Sequence, residues 1–61
     1  MTLLNLIVFI EGDEVLHVHN CEQSLWIGKA INAIAEISND ILCSKIKNVH
    51  TGFSGLCVEI W

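Results

Sequence analysis

The 61-residue chain has no proline, no arginine, only three lysines, and no unbroken apolar run longer than the five residues Leu6–Ile10. Each shortage excludes something. Without proline, and with glycine at only four positions, nothing marks a linker or low-complexity segment, and residues 1–61 read as a single small domain. Three lysines against seven acidic residues give a net charge of −4, which repels a phosphate backbone and supplies no basic stripe, so direct nucleic-acid binding is not expected. The apolar runs fall far short of the roughly 20 residues a bilayer-spanning helix needs, so no membrane segment is expected either. The three cysteines Cys21, Cys43 and Cys57 cannot all pair within one chain, and the opening MTLLNLIVFIEGDE lacks a positively charged leader. Both features point to a reducing cytoplasm.

What the chain does have is apolar side chain: 52% of residues are hydrophobic and 16% charged. A domain this short buries only about 60% of its unfolded surface. The surplus must stay exposed or be covered by another chain, and large exposed apolar patches mark interfaces.

The run LLNLIVFI reads as a strand over residues 3–10, followed by a turn at Gly12–Asp13 and a second strand over 14–19, EVLHVH. In that hairpin Ile7, Phe9, Leu16 and Val18 share one face, while Leu4, Leu6, Val8, Ile10, Val15, His17 and His19 share the other. From Asn20 the period changes. Ile27, Ala30, Ile31, Ile34, Ile37 and Ile41 recur at three- and four-residue spacing, with Glu22, Lys29, Glu36 and Asp40 opposite, which predicts a long amphipathic helix beginning at residue 21. Asn20 and Gln23 resemble a capping box for it, and Gly28, mid-helix in this reading, suggests close approach by another element. The segment SNDILCSKIKN extends the helix, forms a second short one, or opens a fourth strand around 40–50, with a break at Gly52. The tail FSGLCVEIW alternates Leu56, Val58 and Ile60 with Cys57, Glu59 and Trp61 and predicts a last strand.

The expected fold is therefore α+β: a three-stranded antiparallel sheet in the order strand, strand, helix, strand, with the helix on one sheet face. The other face, carrying Leu4, Leu6, Val8, Ile10 and Val15 beside His17 and His19, needs cover. A second copy pairing through that face predicts a homodimer. Trp26 and Trp61 join the expected contact residues, because tryptophan is enriched at interface hot spots.

The stretch HVHNC is the nearest thing to a chemical signature. His17 and His19 on one strand face, with Cys57 on the last strand, form a conceivable zinc ligand set. Structural zinc patterns use two close ligand pairs, and this chain has one; Cys43 and His50 are seven residues apart. No metal or other cofactor is expected. Histidines at an interface margin would instead make association pH-dependent, since imidazole is the side chain that charges nearest neutrality. Cys21 at a helix N-terminus would be an activated thiol, yet no oxyanion loop precedes it and so short a fold has little depth for a pocket. Gly28–Ile31, GKAI, lacks the first glycine and the hydroxyl residue of a phosphate loop. The cluster Glu11, Asp13 and Glu14 lacks calcium-loop spacing and reads as a solvated turn able to make acidic contacts.

With no catalytic set, the expectation is a small non-enzymatic interaction protein that occupies a surface of another protein, one with a basic face. By size and composition it is comparable to the inhibitors and antitoxins of phages and mobile elements. A self-assembling structural subunit is the alternative, and a zinc-binding protein using His17 and His19 a more distant one.

Overall fold

The computed structural model describes residues 1–52 and 55–61. They form an α+β fold of three short helices and four strands: α1 (Leu3–Ile7), β1 (Val15–His19), β2 (Ser24–Lys29), α2 (Ala30–Glu36), α3 (Asn39–Leu42), β3 (Ile46–Thr51) and β4 (Leu56–Ile60). The sheet runs β2-β1-β4-β3. It consists of two antiparallel hairpins, β1/β2 and β3/β4, whose inner strands β1 and β4 pair in parallel. The connection between the hairpins passes from one sheet edge to the other and carries α2 and α3, the kind of crossover a parallel pair requires.

Period-2 alternation sorts the sheet. Leu16, Val18, Val58 and Ile60 point to the helical side and are buried, where they meet Leu3 and Ile7 of α1, Ala33 of α2, and Ile37 and Leu42. Their neighbours Val15, His17, His19, Cys57 and Glu59 lie on the opposite face and are half-buried. The core is thus one layer between the sheet and the helices, and the tail strand follows the expected alternation of Leu56, Val58 and Ile60. The tail's Phe53 and Ser54 lie outside the described residues.

Several expectations are corrected. Residues 3–7 are a helix, not part of a strand over 3–10. Thr2 caps it: its Oγ1 accepts from the Asn5 amide at 3.3 Å, and Asn5 Oδ1 accepts in return from the Thr2 amide at 3.1 Å. A uniformly apolar run carries no period of its own, so this reciprocal cap and the high helix propensity of leucine decide the local structure. Leu3 and Ile7, one helical turn apart, go inward, whereas Leu4 and Val8 are left outside.

The long helix from residue 21 is instead a tight turn, strand β2 and the seven-residue α2. Asn20 Oδ1 accepts from the amides of Glu22 and Gln23 at 2.8 and 2.9 Å. A helix cap would make the same bonds, but here they close a turn, with the Asn20 amide donating to the Gln23 carbonyl at 3.0 Å. The three-stranded antiparallel sheet is a mixed sheet of four. Residues 39–51 supply both a short helix, α3, and the fourth strand, β3.

The turn at Gly12–Asp13 is present, with the Glu14 amide donating to the Glu11 carbonyl at 3.1 Å, but it joins a helix to a strand. Gly28 lies in β2 and is approached by its own neighbour: a Cβ there would come within 2.7 Å of Trp26 Cζ2. The indole fills the space beside the glycine, and its Nε1 donates to Glu36 Oε1 at 3.2 Å, tying β2 to α2.

Candidate interaction surface

The open sheet face carries His17, His19, Cys57 and His50, four of the residues that the sequence singled out for chemistry. Register places Ile27, His17, Cys57 and His50 in one row across all four strands, and His19 beside Glu59 in the next. His17 and Cys57 are direct partners on the parallel pair, with His50 joining from β3, a neighbour that sequence spacing did not reveal. Cys57 Sγ rests in the space beside Gly52, where a Cβ would approach to 2.7 Å. His19 Nδ1 donates to the Asn20 carbonyl at 3.3 Å. Among the described residues no group of three or more histidines, cysteines or carboxylates is placed to hold a metal ion. Cys21 and Cys43 are exposed thiols and Cys57 a half-buried one. Because Cys21 falls in the β1–β2 turn, the helix dipole that would have activated it is not there. The described residues enclose no pocket.

The helical side differs. Leu4, Val8 and Phe9 of α1 and its C-terminal end are 36%, 65% and 79% exposed, and Ile31 and Ile34 of α2 are 72% and 54% exposed. These two helices pack on each other, and the chain between them is stitched to the first turn of α2: Ile31 and Ala30 donate their amides to the Gly12 and Glu14 carbonyls, each at 2.9 Å. The outward residues thus form two adjacent apolar stripes. Sequence reasoning placed Ile31 and Ile34 on a buried stripe and Phe9 on the inner sheet face. In a seven-residue helix the buried line is Ala30, Ala33 and Ile37 at its C-cap; Ala30 and Ile37 belonged to the expected stripe, and Ala33, a small side chain at the three-residue step between them, did not.

No family model matches the chain, and no curated protein or solved structure matches it.

The nine expected contact residues scatter over this geometry. Leu4 and Val8 belong to the helical surface; Leu6 and Ile10 are half-buried against the core. Val15, His17 and His19 sit on the open sheet face, and Trp26 on the helical side of β2. Trp61 is 73% exposed, with the Lys47 ammonium 4.8 Å from its ring centroid. The sheet face proposed for pairing two copies is consequently of mixed polarity, since the residues that made it apolar are in a helix. Among the described residues no helix is long and apolar enough to cross a membrane.

Proposed function

We propose that this protein is a small non-enzymatic interaction module that blocks a surface of another protein, in the manner of the inhibitors and antitoxins of phages and mobile elements. The observation that carries the reading is the exposed apolar surface on α1 and α2. Leu4, Val8, Phe9, Ile31 and Ile34 stand outside a core that is already complete, with Leu3, Leu16, Val18, Ala33 and Val58 fully buried beneath them. Side chains of this kind left in water favour association. The alternative is a self-assembling subunit that covers the same surface with its own copy.

The test is a stoichiometric complex isolated from the producing cell with the tagged wild-type chain and with a Phe9→Ser/Ile31→Ser variant, followed by assay of the partner's activity. The reading expects a one-to-one complex in which the partner's activity falls, and loss of both effects in the variant. A complex that the double variant forms equally well, or one that leaves the partner fully active, contradicts it.

A further inference from the structure

The partner's chemistry is written in the charge distribution of the helical layer, an inference that rests on the interaction reading above. Residues 1–14 and 30–42, which build that layer and its connection to β1, contain five of the seven acidic residues, Glu11, Asp13, Glu14, Glu36 and Asp40, and none of the three lysines or three histidines. The cationic and imidazole groups stand at the rim of that layer or beyond it: Lys29 ends β2 and is the N-cap of α2, Lys45 is bridged to Thr2 ahead of β3, Lys47 lies in β3, and His17, His19 and His50 are on the open sheet face. Glu11, Asp13 and Glu14 are exposed on the turn held against the first turn of α2. Gly12 in that turn touches Ile31, to whose Cβ an added Cβ would stand at 3.2 Å. Apolar stripe and carboxylates are thus contiguous. Among the described residues, the other exposed large apolar side chains, Met1, Ile27, Val49 and Trp61, are dispersed over the chain ends and edge strands.

Such a face selects its occupant. A standard interface takes about 800 Å² from each partner, roughly a fifth of the chain's 4047 Å² surface, and the five apolar side chains supply the centre of such an area. A second copy would set carboxylates against carboxylates, an arrangement that like-charge repulsion disfavours. An anionic lipid surface or a nucleic acid is repelled for the same reason. We propose that the α1/α2 face binds a cationic amphipathic helix of a partner protein, apolar residues against Val8, Phe9, Ile31 and Ile34, and lysine or arginine against Glu11, Asp13 and Glu14.

The probe is a synthetic 18-residue helical Leu/Lys peptide with its leucines on one face, titrated against the protein beside a scrambled peptide of the same composition and a Leu/Glu counterpart. The amphipathic Leu/Lys peptide should bind saturably at one to one. Its affinity should fall at least tenfold in Phe9→Ser/Ile31→Ser and at least tenfold in Glu11→Gln/Asp13→Asn/Glu14→Gln, and stay within twofold in His50→Ala on the open face. All replaced side chains are exposed, and circular dichroism checks that each variant folds. Equal binding of the scrambled or Leu/Glu peptide overturns the proposal. So does a dimer of the unliganded protein at tens of micromolar that Ile31→Ser dissociates, because the face is then filled by a second copy. If the peptide fails to bind while the double apolar variant still abolishes the complex isolated from cells, the occupant's chemistry is wrong and the interaction reading stands.

Discussion

Truncating α1 on its two sides tests the element in which structure and sequence pattern disagree most. Leu3 is fully buried and Ile7 is 5% exposed, whereas Val8 is 65% exposed. Leu3→Ala removes three buried carbon groups, about 2.4 kcal/mol at roughly 0.8 kcal/mol per group. The cavity left between α1 and the sheet raises this to about 3–4 kcal/mol, within the range for buried leucines. A 61-residue domain has a total stability on the order of 3–9 kcal/mol, so the variant should lose a large share of it. Val8→Ala, on the outer side, should change stability by less than about 0.5 kcal/mol. The assay is urea denaturation followed by tryptophan emission, reading the midpoint shift at constant slope. If Val8→Ala costs as much as Leu3→Ala, residues 3–8 are not packed as a helix with Leu3 and Ile7 inward, and the apolar surface on the helical side is misassigned.

Three further substitutions probe the joints of the fold. Asn20→Ala strips the amides of Glu22 and Gln23 of their acceptor and should cost about 1 kcal/mol in a denaturant titration, with Asn20→Asp retaining most of it. Gly55→Ala should be more damaging, upward of about 2 kcal/mol, because a Cβ would collide with the Val15 carbonyl where β4 enters beside β1, at a φ of 155° that side chains rarely adopt. Gly28→Ala drives a methyl into the Trp26 ring, so overpacking should cost about 1–3 kcal/mol and the indole, released from Glu36, should emit at longer wavelength.

Part of the sheet was legible in the sequence: β1 and the alternation of β4 carry strong period-2 signals and appear where expected, and the Gly12–Asp13 turn is present but without the strand expected before it. Pairing β1 with β4 in parallel was not legible, because which strands become neighbours depends on how the two hairpins dock. Two of the errors share one cause. Leu3–Ile10 is apolar at nearly every position and fits a strand or a helix, and the spacing of Ile27, Ile31 and Ile34 imitates a helical stripe while belonging to a strand edge and two exposed helical positions. Asn20 misled for a different reason, since the side-chain acceptor that caps a helix also closes a turn. For the candidate surface, Val8 and Leu4 were named as contacts but on the wrong element, and Phe9, Ile31 and Ile34 were hidden because isoleucine and phenylalanine default to the core. His17 and Cys57 stood together in the sequence only as a conceivable ligand set; their pairing across β1 and β4, with His50 beside them, required the register of the sheet.

The central claim, that the α1/α2 surface is where another protein docks, is tested most directly by site-specific photo-crosslinking in the producing cell. A photoreactive residue is placed singly at Phe9, at Ile31, or at the exposed β3 position Asn48, and adducts are identified by mass. The account predicts one heterologous adduct, the same from Phe9 and Ile31, and none from Asn48. Adducts confined to Asn48, or an adduct from Phe9 and Ile31 with the mass of two copies of this chain, would contradict it.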